Sequence, residues 1–184
     1  MSRFTHVDSF PAPAARIGEI LTSQAFWESR VANLRAKVEA EKPGAFAEQP
    51  GIAAALTSAR VIQLANGGSS LSVTVNAPAS AMGPLPKGIG ALVSGPLQLN
   101  VHEKWGPAQP DGSRTATLEL RLEKPQATLT ATVELYPTAQ GCQRRVEGEI
   151  KVQVPLLGSA LASKATQSVG ALFAADANLV RFFL

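Results

Sequence analysis

Apolar and polar side chains alternate with a period of two from about Leu56 to Val154, and this pattern constrains the fold more than any other feature. Such alternation is typical of half-buried strands, because successive side chains of a strand point to opposite faces of a sheet. Turns that contain Gly or Pro separate the segments, and 66–68 (NGG) has the composition of a hairpin turn. The pattern predicts an antiparallel meander built from Leu71–Val75, Leu97–Trp105, Ala116–Leu122, Leu129–Leu135 and Val146–Val154.

The residues after Pro155 follow a different period. Apolar side chains recur there at helical spacing, which predicts one long amphipathic C-terminal helix. Its apolar stripe is predicted to contain Leu157, Leu161, Ala165, Val169, Leu172, Phe173, Val180 and Phe183. A helix with one apolar stripe must bury that stripe, and the apolar face of the sheet is the available partner.

The N-terminal part predicts one strand followed by two short helices. Arg3 to Phe10 has the character of a strand, and the prolines at positions 11 and 13 end it and open a helix, where their fixed φ is tolerated. Ser23 is in position to cap the second helix, which carries Phe26 and Trp27. The predicted fold is therefore α+β, with two short helices between the first strand and the meander.

Two segments interrupt the regular pattern. Residues 37–55 contain the turn signals KPG and QPG and are expected to form an irregular insertion. Residues 82–96 are rich in Gly and Pro yet carry large apolar side chains. This second segment is expected to be either a lid over a cavity mouth or a connector whose side chains complete the core.

The composition fits a single globular domain over residues 1–184. A chain of 184 residues with 45% hydrophobic and 17% charged residues can bury a core without disulfides or metals. The basic residues are scattered, whereas a nucleic-acid-binding surface needs them clustered. Cys142 has no second cysteine to pair with, and the two histidines provide no zinc-ligand spacing. We expect no nucleic-acid partner, no metal and no cofactor, and the sequence leaves the oligomeric state open.

The sequence also carries expectations about location. The first ten residues lack the apolar core of a signal peptide. No stretch has the uninterrupted apolar length of a membrane span, since polar residues interrupt even the C-terminal segment. We therefore expect a cytoplasmic protein without an integral membrane segment.

Several motifs resemble the START-like (SRPBCC) superfamily with its helix-grip fold. The motifs are 10–13 (FPAP), 26–28 (FWE), 103–107 (EKWGP) and 146–158 (VEGEIKVQVPLLG), and the order of elements matches throughout. The third and fourth motifs also resemble a family of bacterial START-like domains of unknown function. The resemblance covers nearly the whole chain except residues 37–55. It implies a hydrophobic cavity between a curved sheet and the C-terminal helix, used across the superfamily for lipids and other apolar molecules.

Four polar residues are candidates for the site because their phase in a strand or helix places them on otherwise apolar faces. Glu103 shares a strand face with Trp105, so its carboxylate is expected to point inward, where burial would raise its pKa or a partner would keep it ionised. Asp176 lies on the predicted helical stripe and faces either the cavity or solvent at a helix end. His6 and Asp8 share a strand face, which suits either acid–base work or exposure at a sheet edge.

Three hypotheses about function follow. The first is a non-catalytic protein that binds a lipid or other apolar small molecule, with cavity walls formed by Trp105, Glu103, Leu118, Leu120, Val133, Leu172, Phe173 and Asp176. The second is a cyclase- or hydratase-type enzyme that uses Glu103, Asp176 or His6 as acid or base. The third is a protein-interaction module whose cavity is filled by its own side chains. The enzyme hypothesis is less favoured, because the sequence contains no nucleophile motif and no phosphate-binding loop.

Overall fold

The structure, a computed structural model, describes residues 1–41, 43, 59–77, 97–123, 126–154 and 158–184. Within these ranges the strands are β1 (Ser2–Phe10), β2 (Ala59–Gln63), β3 (Ser69–Ala77), β4 (Leu97–Trp105), β5 (Arg114–Leu122), β6 (Ala127–Thr138) and β7 (Gly141–Val152). The helices are α1 (Ala14–Leu21), α2 (Gln24–Glu41) and α3 (Gly158–Phe182). The predicted lid or connector, 82–96, lies outside the described residues.

The strands form one antiparallel open sheet in the order β1-β7-β6-β5-β4-β3-β2. Strands β2 to β7 are therefore neighbours in chain order, as a meander requires, and β1 pairs with β7 at the far edge. The predicted NGG turn joins β2 to β3, where Gly67 has a positive φ of 79° that favours glycine. Together with the long C-terminal helix and two helices after the first strand, this topology confirms the predicted helix-grip fold.

One face of the sheet, here called the inner face, carries the hydrophobic core. Along β6 the residues Leu129, Ala131, Val133 and Leu135 are buried, while Thr130, Thr132 and Glu134 are exposed. The same alternation in β5 and β7 directs apolar side chains toward the helices. Because side chains in a strand alternate strictly, each inward polar residue is fixed in place by its apolar neighbours two positions away.

Helix α3 packs on the inner face against β1 and β7. Its buried stripe consists of Ala162, Val169, Phe173, Asp176, Ala177 and Val180. The prediction that Leu172 belongs to this stripe is wrong, because Leu172 is 39% exposed. Leu172 is one residue from Phe173, and one residue turns an α-helix by about 100°, which directs the leucine side chain away from the sheet.

The short N-terminal helices close one end of the core. Ser23 caps α2 as predicted, since its Oγ accepts a hydrogen bond of 3.2 Å from the Phe26 amide. Helix α2 continues to Glu41, so residues 37–41 are helical and the predicted irregular insertion cannot begin before residue 42. From there to residue 55 the structure describes only residue 43.

The packing of the sheet predicts opposite effects for alanine at two glycines. A Cβ at Gly148 in β7 would lie 2.4 Å from the Thr130 carbonyl oxygen and 2.9 Å from the Phe4 ring. A Cβ at Gly170 in α3 would meet no atom within 4 Å. Gly148→Ala should lower the free energy of unfolding by about 1–3 kcal/mol through overpacking. Gly170→Ala should raise it by about 0.5–1 kcal/mol, because alanine favours a helix more than glycine does. Urea denaturation measures both, and equal effects would contradict this packing.

Candidate functional site

Five charged side chains from five elements meet beneath α3, and we call them the charged cluster. They are Asp8 on β1, Arg30 on α2, Glu103 on β4, Arg144 on β7 and Asp176 on α3. Each of the three cluster residues on strands has a buried apolar neighbour two positions along its own strand. Phe10 is this neighbour for Asp8, and Val146 is for Arg144. Their inward orientation therefore follows from the alternation of each strand.

Asp8 and Arg144 form a buried ion pair. The Arg144 Nε and Nη2 atoms lie 3.0 Å and 2.5 Å from Asp8 Oδ2, and the two side chains are only 5% and 7% exposed. Arg144 Nη2 also donates to the Phe173 carbonyl oxygen at 3.1 Å. The arginine thus connects two neighbouring strands to the backbone of α3.

A second ion pair joins α2 to α3. Arg30 Nη2 lies 2.7 Å from Asp176 Oδ2, and the Arg30 guanidinium lies 4.4 Å from the centre of the Trp27 ring. Burial raises the pKa of Asp176, while Arg30 and Arg144 oppose that rise. This pair fixes α2 against α3 and directs the Asp176 carboxylate toward the sheet rather than toward solvent.

Glu103 forms no ion pair with any residue in the described ranges. Burial raises its pKa to about 7; the positive charges of Arg30 and Arg144 lower it, and Asp176 raises it further. The smallest effect comes from the Trp105 indole, which favours the ionised carboxylate. A carboxyl group with this pKa exchanges its proton near neutral pH.

The Trp105 indole nitrogen is a buried hydrogen-bond donor. Trp105 is 2% exposed, and its Nε1 has no hydrogen-bond partner of normal geometry within the described part of the chain. The indole still lies near enough to the Glu103 carboxylate to influence its pKa. Trp27 differs, because its Nε1 donates to the Leu21 carbonyl oxygen at 2.8 Å.

A small cavity lies among these groups. Its volume is about 20 Å³, which is enough for about one water molecule. Arg30, Glu103, Arg144 and Asp176 provide its polar wall, and the apolar wall consists of Leu21, Phe26, Trp27, Leu118, Val133, Val146 and Phe173. The cavity therefore has room for a single polar group and is too small for a lipid.

The inner face is less tightly covered beyond Glu103. Along β4, Trp105 is buried, whereas Val101 and Leu99 are half-buried. Along β5, Leu118 is buried, whereas Leu120 and Leu122 are half-buried. The apolar side chains that keep exposed surface on this side, here called the open end, are Leu99, Val101, Leu120, Leu122, Val152, Leu161 and Ala165. Glu103 thus stands at the border between a closed charged region and an apolar one.

His6 contacts the charged cluster from its edge. Its Nε2 lies 2.9 Å from Asp8 Oδ1, and its ring stacks on Phe173 with centroids 5.6 Å apart. The side chain is 20% exposed and is not part of the cavity wall. Asp8 therefore connects His6 with Arg144, but His6 does not face Glu103 across the cavity.

The structure brings most of the sequence-predicted residues together. Glu103, Leu118, Val133, Phe173 and Asp176 line the cavity, Trp105 lies beside Glu103, and Leu120 lies at the open end. Leu172 faces outward. Sequence reasoning missed Arg30 and Arg144. The sequence pattern could have shown that both arginines point inward. Arg144 alternates with two buried residues in β7, and Arg30 follows Phe26 and Trp27 at helical spacing.

A wider groove of about 860 Å³ has mainly exposed polar residues in its wall, including Thr117, Thr132 and Lys104 on the outer face of the sheet. Its carboxylates at Glu119, Glu147 and Glu149 pair with neighbours on their own strands, as in Glu149–Lys151 at 2.7 Å. Exposed pairs of this kind contribute little energy. The groove is therefore a solvated surface rather than a candidate site.

The fold and the buried site together define a helix-grip domain with a charged interior. The chain belongs to the family described as "Protein of unknown function (DUF2505)", whose model matches residues 5–184. No curated protein matches the chain. Among the described residues, no helix has both the length and the apolar character needed to cross a membrane.

Solved structures with the same architecture share little sequence with this chain. An uncharacterized protein from Rhizobium leguminosarum is 11% identical with a TM-score of 0.51, over 97% of this chain and 93% of that one. A protein from Thermus thermophilus is 12% identical with a TM-score of 0.48, over 97% of both chains. Ara h 8.0201 is 12% identical with a TM-score of 0.43, again over 97% of both. At these identities the likeness concerns the fold alone.

The raised pKa of Glu103 predicts a pH-dependent cost to stability. The folded protein holds this proton up to about pH 7, whereas the unfolded chain releases it near 4.5. Folded protein therefore binds more protons across that window, and this contribution to stability falls as pH rises through it. Glu103→Gln removes the effect, so its free energy of unfolding relative to the unmodified protein should increase by about 2 kcal/mol from pH 5 to pH 8. Urea denaturation at both pH values measures this, and a constant difference would contradict it.

The buried pair predicts unequal effects for two adjacent arginines. Arg144→Met removes the arginine that pairs with the buried Asp8 and leaves it, among the described residues, only the contact with His6, so it should lower the free energy of unfolding by about 3 kcal/mol. Arg145→Met removes only an exposed pair with Glu147 and should change it by less than about 1 kcal/mol. Thermal and urea unfolding of the two variants compare them directly. Similar losses for both would show that the Asp8–Arg144 pair does not stabilise the core.

Proposed function

We propose that this protein binds a lipid or another small molecule with an apolar body, which lies at the open end while its polar group faces the charged cluster. The observation that carries the proposal is the change in burial along β4 and β5 at Glu103. On one side the core is closed and charged, and on the other Val101, Leu99, Leu120 and Leu122 keep exposed surface, while most of their paired neighbours on β3 and β6 are buried. A site with an apolar wall and a few convergent polar groups is typical of small-molecule binding.

The cost of the charged cluster supports this proposal. Removing charged groups from water is unfavourable, and a buried pair is often no better for stability than apolar residues of the same volume. Glu103 is half-buried and adds a carboxyl whose pKa is raised by burial and which has no ion-pair partner among the described residues. Groups with strongly shifted pKa values are frequent at functional sites. The cluster therefore suits recognition better than it suits packing.

The helix-grip fold and the resemblance to the START-like superfamily agree with this function. Neither identifies the bound molecule, because one fold supports many functions. The small cavity beside Glu103 has a volume of only about 20 Å³, which limits how a molecule can bind. A bound molecule must place its body at the open end or displace side chains, since only its polar group fits the cavity.

A second candidate function is acid–base catalysis, favoured by the pKa of about 7 at Glu103. A carboxyl that exchanges its proton near neutral pH is suited to act as general acid or general base. In such a cyclase- or hydratase-type reaction, Glu103 would be the acid or base and the two arginines would stabilise negative charge on the reacting molecule. Glu103→Gln would abolish turnover of an identified substrate while leaving its binding largely intact.

The binding proposal predicts that a polar side chain at the open end disrupts binding. Native mass spectrometry of the purified protein, repeated under denaturing conditions, should show a small molecule that is released on unfolding. Leu120→Gln should weaken binding of that molecule at least about tenfold, because an amide left unpaired against an apolar body is unfavourable. Leu172→Gln is the matched control on the exposed side of α3 and should leave binding unchanged.

Two results would contradict the proposal. One is equal binding by the Leu120 and Leu172 variants, which would place the molecule elsewhere. The other is a protein that carries no small molecule and whose melting temperature is not raised by fatty acids, sterols or polyketides. That result would favour a protein-interaction module whose interior is filled by its own side chains.

A further inference from the structure

The groups around Glu103 include one buried hydrogen-bond donor without a partner of normal geometry among the described residues, Trp105 Nε1. A buried N–H group without an acceptor is unfavourable, so native proteins nearly always provide one. Trp27 shows the usual solution, because its indole donates to the Leu21 carbonyl oxygen. The Glu103 carboxylate is within reach of the Trp105 indole and is stabilised by it, but this contact falls short of normal hydrogen-bond geometry. A bound molecule can supply an acceptor in a better position.

The charges of the cluster are already balanced. Arg144 is paired with Asp8, and Arg30 is paired with Asp176, so two positive and two negative charges cancel. Glu103 is uncharged in its protonated form, and its carboxyl then becomes a donor as well. The region next to Trp105 thus presents the indole donor and, on protonated Glu103, one donor and one acceptor oxygen, without a net charge.

We propose that the bound molecule is uncharged and presents an acceptor oxygen, such as that of a ketone, to Trp105 Nε1 and the Glu103 carboxyl. This inference rests on the proposed binding function and adds the chemical class of the molecule. A carbonyl oxygen has two lone pairs and accepts two hydrogen bonds. The rest of the molecule extends past Val101 and Leu120, which follow on the inner face and are half-buried.

Charged molecules fit the same groups less well. A carboxylate would add a negative charge beside Glu103 and Asp176, while both arginines already have carboxylate partners. An ammonium group would have no unpaired carboxylate to meet while Glu103 is protonated, and it could not accept a hydrogen bond from Trp105. A hydrocarbon would leave the indole N–H unsatisfied.

Three probes built on the same rigid ring system separate these classes. Fluorene has a methylene group where fluorenone has a ketone, and fluorene-9-carboxylate bears a negatively charged carboxylate group attached to the same carbon. The full chain at pH 6 should bind fluorenone at least about tenfold more tightly than fluorene, and the carboxylate more weakly than either. Isothermal titration calorimetry measures the three affinities.

Substitution of the two tryptophans tests which indole makes the contact. Trp105→Phe removes the unpaired donor and should reduce the preference for fluorenone over fluorene about tenfold. Trp27→Phe removes a donor that is already satisfied and should keep the preference, even if both affinities change. The ratio of affinities is compared because it is insensitive to a general loss of stability in either variant.

The unmodified protein provides an independent measurement. The chain contains two tryptophans, so a proton–nitrogen correlation spectrum shows two indole signals. The Trp105 signal should shift downfield when fluorenone binds and stay nearly unchanged with fluorene, while the Trp27 signal should respond little to either. No variant has to fold for this test.

The outcomes distinguish the inference from the proposed function. Equal affinity for fluorenone and fluorene, with no response of the Trp105 indole, would overturn the inference while leaving the binding function intact. Tightest binding by the carboxylate would overturn it in favour of an anionic molecule. If none of the three probes bound although a fatty acid or sterol did, the inference would be overturned and the proposed binding function would stand.

Discussion

The ion pair between Asp8 and Arg144 is the interaction on which the rest of the interior depends. It joins β1 to β7, and the same arginine donates to the Phe173 carbonyl oxygen of α3. The helix is therefore positioned along the sheet by a directional contact as well as by apolar packing, which is not directional. Because α3 is fixed in this way, Asp176 faces Arg30 and the polar groups close around Glu103.

A buried cluster of this size is a compromise between stability and recognition. Two paired arginines satisfy two aspartates, whereas Glu103 and Trp105 keep polar groups without strong partners among the described residues. An apolar core of equal volume would avoid that cost. The apolar open end lies next to Glu103, so one bound molecule can fill the apolar space and also form hydrogen bonds with the polar groups. Binding would then offset the cost of burying those groups.

Much of the fold could be predicted from the sequence, because alternation, turn composition and helical periodicity act over short distances. Two details were wrong for physical reasons. Leu172 is apolar but one residue out of phase with the buried stripe, and residues 37–41 of α2 lie on a helix without a clear apolar face. Glu103 and Asp176 were found from their phase alone. The ion pairs of the cluster were not found, because sequence phase does not show which charges meet. Arg144 and Asp8, for example, are 136 residues apart.

The most direct test of this account is a titration of the Glu103 side-chain carboxyl carbon by nuclear magnetic resonance between pH 4 and pH 9. The Glu103 carboxyl lies beside Trp105 and has no ion-pair partner within the described part of the chain, so it should titrate with a pKa of about 7. It should remain protonated to higher pH when an uncharged acceptor molecule is bound, because the protonated form then donates a hydrogen bond. A midpoint near 4.5, unchanged by any bound molecule, would show that Glu103 is solvated or paired and would contradict the account.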